Sequence, residues 1–435
     1  MRILGVGASC DLGDMYLRLA AAGHEVRVYI RDFAELGVMD GLLERVDDYR
    51  AQLGWIREAG AEGVIVFETA EHGEEQDALR REGFAVIGGS AFGDRLENDR
   101  AYGQAVLAEL GMSTLPVKRF ESFADGIAFI RAQPGRYVFK LDGGALASWR
   151  NYVGVADDGS DVIALLLGQE QRLAAVGESR ASFVLMRHVT GVETGIGAYF
   201  NGERFLTPAC LDWEHKRFFP HDLGELTGEM GTLVTYDGTS RLFELTLAKL
   251  APRLRDGGYV GYINLNTIIN ADGIWPLELT CRFGYPGFAI LSALQTGGWD
   301  SVLRAMLDRQ STHITTAPGY AVGVVLTVPP FPYSYGYAEI SKGLPILFQS
   351  EMTDAQLGRL SMGEVAMRDG QLIASGAVGY LMVATGVGST VRDAQADAYA
   401  IARRVIVPNL RYRTDIGDAF VASGQLTLRS LGYLA

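Results

Sequence analysis

Glu278, Thr280 and Arg282 stand two apart in the segment Pro276-Leu-Glu-Leu-Thr-Cys-Arg-Phe-Gly-Tyr-Pro-Gly287. In a β-strand that spacing puts all three on one face, with Leu277, Leu279, Cys281 and Phe283 on the other. A carboxylate, a hydroxyl oxygen and a guanidinium on one face suit a divalent cation holding a polyphosphate, the arginine neutralising what the metal does not. A solvated outer sheet face is the plainer reading of the same pattern. Upstream, Tyr262–Ile269 reads as a partner strand joined through Asn270-Ala-Asp-Gly273, whose Asp-Gly is a hairpin signal. With a three-residue loop, Asn266 falls opposite Glu278 and Asn264 opposite Thr280, so two asparagines face the same place.

The elements that must position these residues follow from the periodicity. Over the first ~90 residues, strands at Ile3–Val6, Val26–Ile30, Val64–Phe67 and Ala85–Ile87 alternate with a helix at Asp14–Ala22 and a long helical stretch ending at Ala59, which implies a parallel α/β sheet. The first turn, Gly5-Val-Gly7-Ala-Ser-Cys-Asp-Leu-Gly13, is either a phosphate-cradling loop or a tight strand-to-helix turn, because its third glycine comes two places late for G-x-G-x-x-G. Helix Arg100–Gly111 and strand 136–141, which runs into Asp142-Gly-Gly-Ala145, open a second region. Strands follow at Phe183–Met186 and Gly195–Phe200, the latter turning at Asn201-Gly202 into Arg204–Thr207. A third region holds strand Ala321–Val328, a hairpin at Asp369-Gly370, strand Val378–Val383 and helix Val391–Arg404. The predicted domains are 1–95, 96–319 and 320–435.

Composition narrows the partners. Formal net charge is −13, from 39 Lys and Arg against 52 Asp and Glu, which argues against nucleic-acid and anionic-membrane surfaces. Cys10, Cys210 and Cys281 sit scattered in apolar runs and read as buried thiols of a reducing compartment. The six histidines have no zinc spacing, no apolar run reaches membrane-spanning length, and no leader precedes the first strand. The expectation is a cytoplasmic protein acting on small molecules, as a monomer or homodimer.

Five motifs in one order resemble the glycinamide ribonucleotide synthetases (phosphoribosylamine–glycine ligases), a family of ATP-grasp ligases. Leu96–Gln104 is similar to the segment where the ATP-grasp region begins. Phe139-Lys140-Leu-Asp142-Gly143 resembles the strand presenting an ATP-binding lysine. Glu214-His215-Lys216-Arg217, then Gly224-Glu-Leu-Thr227-Gly228-Glu-Met230-Gly231, resembles D-H-K-R … G-P-N-T-G-G-M-G. Leu277-Glu278-Leu-Thr280-Cys-Arg282-Phe283-Gly284-Tyr-Pro286 is similar to E-F-N-x-R-F-G-D-P, and Arg411-Tyr412-Arg413-Thr-Asp415-Ile416-Gly417 to the Y-R-x-D-I-G ending.

The resemblance implies an α/β and α+β multidomain chain: an N-terminal parallel α/β domain, a central ATP-grasp region clamping nucleotide between two sheets, and a small mixed C-terminal domain. It implies ATP and Mg²⁺, a carboxylate activated as an acyl phosphate, and an amine that captures it as an amide. It gives Arg282, Lys216 and Arg217 to catalysis. Arg100, Lys140, Arg150 and Glu193 (in Gly191-Val-Glu193, on the ribose) go to ATP; Glu278, Thr280 and Asn266 to metal; Gly7, Glu214, Thr227, Gly228, Met230 and Gly284 to substrate.

The departures concentrate on the substrate side. G-x-G-G-R-E-H becomes Gly5-Val-Gly7-Ala8-Ser9-Cys10-Asp11, D-P-E becomes Tyr285-Pro286-Gly287, and H-A-G-T becomes Ser361-Met362-Gly363-Glu364. The A-A-G-K-G loop becomes Ala145-Leu-Ala-Ser148-Trp149-Arg150-Asn151, Met186 and Arg187 replace paired glutamates, and Thr280 replaces a metal-binding asparagine. Three readings follow: a ligase whose amine is not phosphoribosylamine, an authentic phosphoribosylamine–glycine ligase, and a nucleotide-binding protein without chemistry. For Lys140, for Lys216 with Arg217, and for Arg413 with Asp415, plain surface charge or structural pairing is the alternative; for Trp149 it is a core position.

Overall fold

The computed structural model describes residues 1–141, 151–175 and 182–434. Three sheets carry it. The N-terminal sheet is parallel, order β3-β2-β1-β4-β5, from β1 (Arg2–Gly7), β2 (Glu25–Ile30), β3 (Glu44–Val46), β4 (Gly63–Phe67) and β5 (Val86–Ile87). It has the expected α/β pattern with one difference. The long helix before Ala59 is absent: β3 lies there, and only Leu53–Glu58 is α-helical. Met39 and Gly41, at φ 59 and 72, break any helix through this stretch.

A small antiparallel sheet, order β6-β9-β7-β8, joins β6 (Val117–Phe120), β7 (Tyr137–Leu141), β8 (Tyr152–Val153) and β9 (Phe183–Arg187). It has its own core, in which Phe183 packs on Phe120, Phe123 and Phe139 at centroid distances of 5.4, 5.3 and 5.4 Å. In β7 the period of two sends Tyr137 and Phe139 into that core and leaves Val138 and Lys140 on the opposite face.

The large sheet runs β16-β15-β10-β11-β14-β17-β22-β19. Its strands are β10 (Val192–Asn201), β11 (Cys210–Glu214), β14 (Gly231–Thr235), β15 (Val260–Asn270), β16 (Gly273–Thr280), β17 (Tyr320–Thr327), β19 (Leu360–Met362) and β22 (Tyr380–Gly388). Three short pairs complete the chain: β12 (Arg217–Phe219) with β13 (Leu223–Leu226), β18 (Leu347–Phe348) with β23 (Val405–Ile406), and β20 (Val365–Arg368) with β21 (Gln371–Ala374), the last being the expected Asp369-Gly370 hairpin. Two expectations change here. Arg204–Thr207 forms only isolated bridges, Phe205 to Phe200 and Thr207 to His313, while β11 pairs with β10 at Gly195–Gly197. Position 320 separates no sheets, since β14 pairs directly with β17. Cys10, Cys210 and Cys281 are buried and unbridged, as expected. Among the described residues no helix is long and apolar enough to cross a membrane.

The aromatic core of the small sheet should depend on Phe183. Phe183→Ala is expected to cost roughly 3–5 kcal/mol, read as lost hydrogen-exchange protection confined to β6, β7 and β9.

Candidate functional site

The β15–β16 hairpin sets the site. Its loop is two residues long rather than three, Asn270 pairing with Gly273. A bulge then leaves Leu277 unpaired between the Thr267–Pro276 and Asn266–Glu278 pairs. Loop and bulge together give the register expected from a three-residue loop, Asn266 opposite Glu278 and Asn264 opposite Thr280. The freed Leu277 carbonyl accepts from Arg100 at 3.1 Å and from Gln104 at 2.9 Å, tying helix Arg100–Glu109 to this strand.

Glu278 enters an ion cluster. Lys216 Nζ lies 3.3 Å from Glu278, 3.1 Å from Glu214 and 3.7 Å from Glu193. Arg100 approaches Glu278 at 3.6 Å, and Asn266 donates to Glu214 at 3.3 Å. Lys216, then Lys140 and Arg100, hold the Glu278 carboxyl down at about 2, against its burial. Burial alone would depress Lys216, but Glu214, Glu278 and Glu193 outweigh it and raise its pKa well above the ordinary value. Lys140, on the cleft face of β7, is lowered to about 8 by burial and by Arg100. Among the described residues, cations from both sheets therefore meet carboxylates of the large sheet.

Backbone clamps fix Lys216. Thr227 donates to its carbonyl through both N–H (2.8 Å) and hydroxyl (2.9 Å), while His215 exchanges backbone bonds with Gly231 and Met230. Arg413 is buried against Asp415 (2.5 Å), Asp222 (2.9 Å) and the Arg217 carbonyl (3.0 Å). Gly417 N–H donates to His215 Nε2 at 3.1 Å. The C-terminal motif is thus a structural brace for the lysine-bearing loop.

Other expected site residues go elsewhere. β16 ends at Thr280, so Arg282 leaves the Glu278 face and pairs with Glu97 at 3.2 Å. Arg217 donates to the Gly224 carbonyl across β12–β13. Met230 is a buried core residue whose backbone bonds to His215 and Val325. Gly7 makes room for Glu68: a Cβ there would lie 2.3 Å from the carboxylate. With Asp11 and Glu68 beside it, the first turn is no anion cradle; burial and Asp11 push Glu68 up to about 8. Gly228 faces open space, and the Gly284 carbonyl starts helix Gly287–Ser292 by accepting from Phe288. Arg150, Trp149 and the Asp142–Ala145 turn lie outside the described residues.

The sequence reading missed Asp212 and Glu229. Asp212 is buried under β10, where Gly195 has no Cβ to collide with it, and it accepts from Asn264 at 2.6 Å. Burial, then Glu214, push it up to about 8. Glu229 is buried beside Glu214 and Asp212 and its pKa is raised, burial being the main cause. Its signal was available: it occupies a glycine position of the T-G-G-M-G run.

Among the described residues no three His, Cys, Asp or Glu side chains converge as a ready-made metal site. The donors nonetheless suit Mg²⁺, which takes one or two carboxylates and completes its shell with phosphate and water oxygens. Glu278 and Glu214 supply carboxylates, and Asn266, its amide nitrogen committed to Glu214, keeps its carbonyl oxygen for a ligand. Thr280 lies along the same face. Removing the central cation should leave its carboxylates in mutual repulsion. Lys216→Met is expected to cost roughly 1.5–3 kcal/mol, towards the lower end because Glu278 and Glu193 keep solvent contact. In a thermal melt Mg²⁺ should restore stability to the variant more than to the parent; equal effects on both would refute the arrangement.

A family model for the phosphoribosylglycinamide synthetase ATP-grasp (A) domain matches residues 98–288. The phosphoribosylamine–glycine ligase of Halalkalibacterium halodurans is 27% identical over 359 residues, 80% of this chain and 79% of that protein. That of Pseudomonas aeruginosa is 25% identical over 390 residues, 87% and 86% of the two chains. The crystal structure of phosphoribosylamine–glycine ligase from Thermotoga maritima superposes with a TM-score of 0.72 at 22% identity, covering 96% of this chain and 100% of that one. The biotin carboxylase domain of Hydrogenobacter thermophilus 2-oxoglutarate carboxylase, solved with MgADP and bicarbonate, shares the fold at a TM-score of 0.61 and 10% identity, over 94% and 91%. With the ordered motifs and the two sheets, residues 98–288 match the phosphoribosylglycinamide synthetase ATP-grasp (A) domain, and over most of its length the chain is similar to phosphoribosylamine–glycine ligases.

Proposed function

We propose that the chain joins a small carboxylic acid, glycine or another small amino acid, to an amine other than phosphoribosylamine, using ATP and Mg²⁺. The observation that carries this reading is the cleft: Lys140 from the small sheet faces Glu278, Lys216 and Glu193 of the large one. Phosphoryl transfer asks a protein chiefly for position and charge neutralisation. A carboxylate oxygen attacks the γ-phosphorus, the bond to the β-phosphate bridging oxygen breaks, and ADP leaves. The amine nitrogen then attacks the acyl carbon, the carbon–oxygen bond to phosphate breaks, inorganic phosphate departs with the electron pair, and the nitrogen loses a proton.

Lys140, Lys216 and Arg100 neutralise the polyphosphate, and Glu193 accepts from the ribose. Mg²⁺, when bound, adds charge neutralisation at the phosphates and is held by Glu278 and Asn266. The acceptor is assigned away from phosphoribosylamine because the turn carrying arginine in the family carries Ser9, Cys10 and Asp11 here. The names of the curated relatives favour the second reading, an authentic phosphoribosylamine–glycine ligase.

ADP release should require an acid and an amine together, and Glu278→Ala should slow it by about 10²–10³-fold. Silence across a panel of small amino acids and amines would remove the ligase reading. A purine-auxotrophic host lacking its own synthetase separates the two acceptors: the chain is expected not to rescue growth, and rescue would establish phosphoribosylamine.

A further inference from the structure

The three substituted substrate-side motifs meet. Ser9, Cys10 and Asp11 from the first turn, Tyr285 from the segment after β16, and Gly363 with Glu364 after β19 line one cavity of about 210 Å³. Glu35 and Tyr380 join them. Gly363 is part of the fit, since a Cβ there would lie 2.6 Å from the Tyr285 hydroxyl. At ~30 Å³ per water the space equals roughly seven waters, enough for a small organic molecule.

Its chemistry is acidic. Asp11, Glu35 and Glu364 all line it, with Asp32 close to Glu35 and Glu68 close to Asp11. The nearby cations are occupied: Arg282 pairs with Glu97, and Lys342 donates to the Gly376 carbonyl at 3.0 Å. Two buried oxygens find no partner among the described residues, Glu35 Oε2 and the hydroxyl of Tyr380, a residue only 7% exposed. A phosphate monoester would bring about two negative charges to a wall already lined with carboxyls.

We propose that this cavity binds the acceptor as a small, positively charged, phosphate-free primary amine, held by Asp11, Glu35 and Glu364 and hydrogen-bonded by Tyr380. The inference rests on the ligase reading only in naming the ligand an acceptor. The cavity lies at the reactive end of the cleft: Tyr285 follows Arg282 by three residues, Arg282 is close enough to Asp11 to favour its ionised form, and Glu229 acts on Tyr380 from the Lys216 side.

The cavity's carboxyls hold protons that the amine must displace. Burial and Asp11 push Glu35 up to about 7, and burial and Glu35 push Glu364 up to about 8. The folded chain then binds more protons than the unfolded one between 4.5 and about 8, so the stability Glu364 contributes is present below 4.5 and is lost as pH rises towards 8. An ammonium group favours the ionised carboxyls, and binding therefore releases protons.

Titration calorimetry on the full chain with putrescine, ethanolamine and ribose 5-phosphate tests this. Putrescine and ethanolamine should bind more tightly as pH rises from about 6 to about 8, with heats that vary with the buffer because protons leave. Asp11→Asn and Glu364→Gln should each weaken putrescine by about tenfold or more, and Tyr380→Phe by a few-fold. Should Glu364→Gln fail to fold, Asp11→Asn and Tyr380→Phe decide the matter. Preferential binding of ribose 5-phosphate, or amine affinities unmoved by all the folded variants, would overturn the proposal. Putrescine binding without ADP release from any acid would uphold the cavity and remove the ligase reading. Amine-dependent ADP release with a KM untouched by these variants would do the reverse.

Discussion

One ammonium group organises the molecule's chemistry. Lys216 sits within 3.1–3.7 Å of Glu214, Glu278 and Glu193, which come from three different strands of one sheet. Three carboxylates at such range cannot all stay ionised without a shared cation. Lys216 keeps Glu278 ionised and so keeps an acidic oxygen available to a metal. The same constraint explains the effort spent on the loop: Thr227, Met230, Gly231 and Arg413 fix the backbone around His215–Arg217, and Gly417 holds the His215 ring. A four-carbon flexible side chain becomes a positioned charge only when its backbone is held.

The two-sheet plan follows from that charge pattern. The large sheet supplies acid and the shared lysine; the small sheet brings Lys140, and helix Arg100–Glu109 brings Arg100, from the other side. A polyphosphate entering between them meets cations on both walls. The bulge at Leu277 serves both needs. It turns Glu278 to the Asn266 side of the hairpin and hands the freed Leu277 carbonyl to Arg100, so one backbone irregularity sets a metal ligand and a phosphate cation together.

Much of this was legible in residue order, for reasons that differ by element. The Asn266–Glu278 pairing was predicted from a longer loop, and a one-residue bulge makes the two arithmetics equal. Helix Arg100–Glu109 and the strand carrying Lys140 were readable, and β10 was read from Gly195 onwards, which left Glu193 to the Gly191-Val-Glu193 resemblance alone. Strands β11 and β14 were not readable: Gly231–Thr235 is short and buried on both sides, and in Cys210–Glu214 the alternation of Leu211 and Trp213 with Asp212 and Glu214 is too brief to stand out. Arg282 was misplaced because strand periodicity carries no information about where pairing stops, and Glu97 competes for its guanidinium. Glu229 was legible only as a mismatch within a glycine-rich run, and a mismatch does not announce that it will be buried beside two other carboxyls.

The distribution of change along the chain has a physical logic. At the phosphate end, every group is tied to its neighbours by charge, so replacing one alone leaves an ion without its partner at considerable cost. At the acceptor end, the acyl carbon demands only a nitrogen lone pair, and the rest of the amine can vary if its binding groups vary together. Ser9–Asp11, Tyr285 and Glu364 lie far apart in sequence yet line one cavity, and each departs from the family pattern, while Gly363 keeps its glycine. The changes do not simply add acid: Cys10, Tyr285 and Gly287 each stand where the family pattern has a carboxylate, while Asp11 and Glu364 stand where it has histidine and threonine. The arginine is gone, and the carboxyls that remain are Asp11 and Glu364 with Glu35 beside them. Moving the acids and removing the arginine together is what exchange of a phosphate-bearing acceptor for a cationic one requires.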